Sequence, residues 1–128
     1  MTLEYDITIP TDRDYYFPVS IVTYEQNPAN LTGYLLTMTV KKSINDPDSS
    51  ALYKGAPWSN NLQFGNFTFK IPRATNKGWY LYPPSGSGPI STTIVYDVTA
   101  QDVATVPNWT TLMYGNVTVQ PAVTISIP

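Results

Sequence analysis

The chain contains no histidine and no cysteine among its 128 residues. Without them there is no thiolate or imidazole metal site, no disulfide and no Ser-His-Asp triad. General acid–base work near neutral pH loses its commonest residue, and a cysteine-free chain says nothing about redox compartment. Charge is also scarce. Only 12% of residues are charged and the formal net charge is −2, which leaves no basic footprint for nucleic acid. No apolar run approaches the length of a membrane span. Glu4 and Asp6 stand where the basic and apolar regions of a signal peptide would lie. These absences predict a protein that is not an enzyme, holds no metal or cofactor, and binds neither nucleic acid nor membrane. Binding and building remain.

What is abundant points to strands. Hydrophobic residues make up 42% of the chain, aromatics 13%, and there are 10 tyrosines and 12 prolines. The length suits one domain, residues 1–128, with a modest core. From Leu3 to Ile9, Leu3, Tyr5, Ile7 and Ile9 alternate with polar residues, the period of a half-buried strand. After a turn over Pro10–Asp14, Tyr16–Tyr24 is dense in β-branched and aromatic residues, which predicts a strand covered on both faces. Beyond a loop at Gln26–Asn30, Tyr34, Leu36, Met38 and Val40 share one face of a third strand. Ala51–Lys54 reads as a short edge strand, Gly55–Asn61 as a loop, and Leu62–Ile71 as a strand with a bulge at Gly65-Asn66. Pro72–Gly78 connects to the aromatic cluster Trp79-Tyr80-Leu81-Tyr82, and Pro83–Pro89 reads as an exposed loop. Ser91–Thr99 carries Ile94, Tyr96 and Val98 on one face, a turn region follows over Ala100–Pro107, and Thr110–Gln120 is the next strand. Val123, Ile125 and Ile127 then alternate to the end. The pattern predicts an all-β chain of about seven to nine short antiparallel strands in a sandwich or barrel, with no amphipathic helix.

Several motifs suggest chemistry and have a plainer explanation. Asp12/Asp14 and Asp46/Asp48 are spaced carboxylates of the kind calcium uses, but they match no calcium-loop spacing and suit turns. Glycoside hydrolysis needs two acids flanking a cleft, whereas the acids here lie mostly in turns of a short chain. Gly86-Ser87-Gly88 lacks the lysine and following helix of a phosphate cradle. The sequons at Asn30, Asn66, Asn108 and Asn116 occur in a chain rich in Ser and Thr, and fit strand and cap chemistry. Trp58, Trp79, Tyr80 and Tyr82 could together form an aromatic platform for sugar rings, or could simply be core and rim residues. Exposed Tyr and Trp among few charges also suit a protein–protein contact.

Three stretches resemble a known family. Asn30–Ser43 (NLTGYLLTMTVKKS), Val95–Asp97 (VYD) and Tyr114–Val123 (YGNVTVQPAV), together with the opening Asp6–Val22, are similar to small tailed-phage structural domains. The family is best known as the N-terminal immunoglobulin-like module of upper baseplate proteins, and also occurs as short virion proteins. The chain departs from the pattern at Gln101-Asp102-Val103-Ala104, where the family has Asp-Gly, and over Trp79–Ile90, which is longer and more aromatic. The resemblance implies a single immunoglobulin-like β-sandwich and a virion component made in the host cytoplasm. Its partners would be other capsid or tail proteins, met in many symmetric copies. A capsid decoration or accessory role, or a tail or baseplate adaptor, follows from that setting. A carbohydrate-binding module for host-surface recognition is the alternative.

In the matching stretches, Gly33 suits a positive φ leading into the Tyr34 strand. Gly115 suits a bulge or close backbone approach, and Tyr96 is placed to span the core with its hydroxyl on rim backbone. The expected contact surface is Trp79, Tyr80 and Tyr82 with Ser85 and Ser87 of the adjoining loop, because aromatic anchors beside an adaptable segment favour docking. A competing placement puts Trp79 and Leu81 in the core.

Overall fold

The computed structural model describes residues 3–11, 13–23, 25–77, 79, 92–102 and 109–120. Its strands are β1 (Leu3–Glu4), β2 (Ile7–Pro10), β3 (Tyr15–Ser20), β4 (Tyr34–Lys41), β5 (Tyr53–Gly55), β6 (Ser59–Asn61), β7 (Asn66–Ile71), β8 (Thr92–Asp102) and β9 (Trp109–Gln120). Two single turns of 3-10 helix, Asp48–Ser50 and Leu62–Phe64, and one α-helical turn, α1 (Arg73–Asn76), complete the described elements. The strands form two sheets packed face to face, an all-β sandwich. The larger has the order β1-β9-β8-β4-β5, with β2 also on β9, and the smaller has the order β3-β7-β6. This division, with β3, β7 and β6 in one sheet and β4, β8 and β9 together in the other, is immunoglobulin-like.

Period-two alternation supplies both inner faces. Leu36, Met38 and Val40 on β4, Ile94, Tyr96 and Val98 on β8, and Met113, Val117 and Val119 on β9 turn inward from the large sheet. Phe17, Phe67, Phe69 and Ile71 meet them from the small one. Fully burying a side chain of this size stabilises by about 1.5–3 kcal/mol, so these strands define the fold.

The structure departs from the periodicity in five places. The alternation over Leu3–Ile9 is broken at Tyr5-Asp6. Ile7 and Ile9 are buried, but Leu3 and Tyr5 are more than half exposed. Both resulting strands lie parallel to β9, whereas the other described pairs are antiparallel. β3 ends at Ser20 and is covered on one face only, with Tyr16 and Pro18 outside. Pro18 has no N–H to give a ladder, which suits a strand whose only described neighbour is β7. β6 lies inside the expected Gly55–Asn61 loop, and all three of its residues are polar and exposed, so hydrophobic periodicity had nothing to register. Gly65 does not mark a bulge but ends the Leu62–Phe64 turn in a left-handed conformation. The described bulge is instead the register shift on β9 opposite Val98/Thr99. β8 runs on to Asp102, through the first part of the expected turn. The expected strand over Val123–Ile127 and the loop Pro83–Pro89 lie outside the described residues.

Candidate functional site

Three of the family-like stretches meet at one place in the fold. Tyr96 on β8 is 3% exposed, and its hydroxyl donates to the Tyr5 carbonyl at the β1–β2 break. Gly115 lies directly opposite Tyr96 on β9. A Cβ there would sit on the Tyr5 carbonyl carbon and oxygen, so only glycine admits the chain at this point. The break is held from the other side as well. The Tyr5 N–H donates to the Tyr114 carbonyl (2.9 Å), and Asp6 Oδ1 accepts the Asn116 N–H (2.9 Å). Phe17 of the small sheet packs edge-on against Tyr96 (5.7 Å) and stacks with Tyr5 (6.5 Å), tying the two sheets together. The close approach expected of Gly115 and the core-spanning role expected of Tyr96 are therefore one feature. Gly33, at φ 91°, turns the chain into β4 as its sequence position implies.

The outer face of the large sheet carries two adjoining depressions. Asp97 points outward from β8, opposite Thr39 on β4 and Tyr114 on β9. A depression of about 580 Å³ is lined by Glu4, Lys41, Ile44, Asp97 and Tyr114 among others. A second, of about 240 Å³, shares Thr39 and Asp97 and adds Asp48 and Lys54. Asp48 lies 2.6 Å from Lys41 Nζ and 3.6 Å from Lys54 Nζ. Its hydrogen bond and attraction to Lys41 hold its carboxyl below the usual carboxylate range. Burial pushes Asp97 up; Lys41 and Lys54 pull it back, and Asp48 pushes it further. The Glu4 carboxylate accepts a hydrogen bond from Tyr114 and raises that phenol. No sequence motif announces this face, because alternation marks Asp97 only as outward and polar.

The outer face of the small sheet carries a different group. Tyr16 on β3 faces Lys70 on β7 across the ladder. Trp58, just before β6, packs edge-on against Tyr16 with ring centres 5.2 Å apart. Lys70 Nζ lies 5.7 Å from the Tyr16 ring centre and 5.8 Å from that of Trp58.

The residues singled out by sequence are therefore dispersed. Trp79 is 3% exposed and belongs to the core. Its expected place on an exposed contact surface is corrected, because the ring's hydrophobic burial outweighs any use as an outward anchor. Tyr80, Tyr82, Ser85, Ser87, Leu81 and Gly86-Ser87-Gly88 lie outside the described residues, as do Asp12 and Asn108. Trp58 is not part of one platform with Trp79; its aromatic neighbour is Tyr16, which sequence reasoning passed over. Asp14 Oδ1 accepts the Arg73 N–H at the start of α1 (2.8 Å), and Asp14 also faces Lys70 (3.8 Å). Among the sequons, Asn30 Oδ1 accepts the Thr32 N–H in a turn, Asn66 Oδ1 accepts the Ser20 hydroxyl, and Asn116 is a β9 ladder residue. Among the described residues, no group of three His, Cys, Asp or Glu side chains is close enough to hold a metal ion.

No protein family and no curated protein matches the sequence. Among solved structures, the fold is similar to the N-terminal domain of phage TP901-1 ORF48, at 11% identity and a TM-score of 0.51. The similarity covers 94% of this chain and 99% of that one. At that identity the likeness is one of fold, and it agrees with the sandwich that the sequence resemblance implies.

Proposed function

We propose that the protein is a non-enzymatic structural component of a phage virion, one sandwich domain over residues 1–128 that binds other virion proteins in many symmetric copies. The observation that carries this reading is the match in extent to the phage domain, 94% of one chain against 99% of the other. Tyr96 and Gly115 of the family-like stretches also close on the Tyr5 carbonyl, a structural lock rather than a reactive site. A capsid decoration or accessory role is the finer reading, with a tail or baseplate adaptor beside it. In particles purified from a lysate by density gradient, the protein is expected to co-sediment at fixed stoichiometry, and gold-labelled antibody places it on head or tail. Its presence in the lysate but absence from particles would overturn the reading.

The contact itself is assigned to Tyr80 and Tyr82 with Ser85 and Ser87, which follow buried Trp79 in the sequence. Aromatic side chains beside glycine, serine and proline supply contact area at low entropic cost. A chain carrying Tyr80→Ala and Tyr82→Ala is expected to fold and to be lost from particles. Normal incorporation refutes the contact.

A further inference from the structure

Trp58 is 61% exposed and Tyr16 is 44% exposed, yet neither ring is loosely placed. The Trp58 backbone N–H donates to the Thr68 carbonyl (2.8 Å), which fixes the chain at this residue, and the two rings meet edge-on with the Lys70 ammonium against both. Rings held this way lose little rotamer freedom when something covers them. Folding does not account for them, since neither belongs to the core.

We propose that Trp58, Tyr16 and Lys70 form a binding site for a neutral, gluco-configured saccharide. Size argues for a ligand of one or two rings. The exposed parts of the two aromatics amount to roughly 250 Å², about a third of the ~800 Å² per partner that a stable protein interface requires. The surroundings argue for a sugar. Ser59 and Asn61 of β6, which pair with outward Thr68 and Asn66 of β7 and so share the face of Lys70, are exposed hydroxyl and amide side chains, the groups that pair with sugar hydroxyls. A gluco-configured pyranose presents an apolar C–H face of weakly positive character, complementary to the negative face of an aromatic ring. Charge argues for a neutral one. Lys70 already faces the Asp14 carboxylate, so the patch has no uncompensated cation to attract an acidic ligand, while the ammonium still offers donors to hydroxyls.

The test uses the full chain, labelled with ¹⁵N, and follows the Trp58 indole N–H during titration with two neutral probes. These are the β-1,4-linked trimer of N-acetylglucosamine and maltotriose, each taken to about 20 mM, a range that reveals millimolar affinity. Saturable shifts centred on Trp58, Tyr16 and Lys70 are expected with at least one probe. Trp58→Ala is expected to weaken that binding about tenfold or more, equivalent to ~1.4 kcal/mol. Tyr114→Ala, on the opposite sheet, is expected to leave it unchanged. No saturable shift with either sugar would overturn the proposal, as would shifts centred elsewhere or undiminished binding by Trp58→Ala. Saturation by a proline-rich peptide and by neither sugar would overturn it too, and would assign the rings to peptide recognition. The wild-type titration decides the matter even if the substituted chain fails to fold. The site is independent of the virion reading, which particle composition tests separately.

Discussion

Two residues carry more of this structure than their size suggests. Gly115 leaves room for the Tyr5 carbonyl, and Tyr96 donates its hydroxyl to that same carbonyl. Gly115→Ala must displace backbone, not a flexible side-chain end, and is expected to cost about 1–3 kcal/mol or more. Tyr96→Phe removes the donor to the Tyr5 carbonyl, a partly buried bond, and is expected to cost ~0.5–1.5 kcal/mol. Both are read as a lower urea midpoint at unchanged slope. Tyr96 also gives alkaline pH a defined effect. Burial, then the nearby Tyr15, Asp6 and Tyr5, hold its phenol well above the ordinary tyrosine range. An unfolded tyrosine releases its proton near pH 10, while the folded one keeps it. The stabilisation is therefore complete below about pH 10 and is lost as pH rises through the folded value. Melting temperature is expected to fall above about pH 10, and Tyr96→Phe should make that fall shallower. An unchanged slope would show that Tyr96 is not the group responsible.

At the scale of elements, the outward faces separate what supports the fold from what burdens it. Asp97 stands in the middle of β8 with its carboxyl pushed up by burial. Such a group favours folding only below the ordinary carboxylate value near 3.9 and loses that contribution as pH rises through its folded value. Asp97→Asn is thus expected to raise the melting temperature at pH 7, with the advantage shrinking toward pH 4. A lower melting temperature at pH 7 would mean that Lys41 and Lys54 outweigh burial. Asp48, by contrast, bridges the same two lysines at the surface, where side-chain entropy and solvent offset most of the attraction. Asp48→Ala is expected to change stability by less than about 1 kcal/mol.

For the whole molecule, one core joined by inner faces from both sheets implies one cooperative unit. Thermal unfolding of residues 1–128 is expected to be a single transition with equal calorimetric and van't Hoff enthalpies. A chain of this length should show a heat-capacity increment of about 1.7 kcal/mol/K. Two separable transitions would contradict the single domain.

The inward faces of β4, β7, β8 and β9 were legible because burial on one side of a strand imposes a period of two on the residues themselves. The absence of histidine and cysteine was equally direct, since it needs no geometry to remove a class of chemistry. Tertiary structure decided what depends on distant segments. The break at Tyr5-Asp6 follows from a carbonyl meeting Gly115 more than a hundred positions away. β6 exists because Ser59–Asn61 pair with β7 through backbone groups common to every sequence. Trp79 and Trp58 carry the same side chain, but one lies in the core and the other on the surface. Composition cannot tell them apart, because the burial of a ring is set by what packs against it and not by the ring.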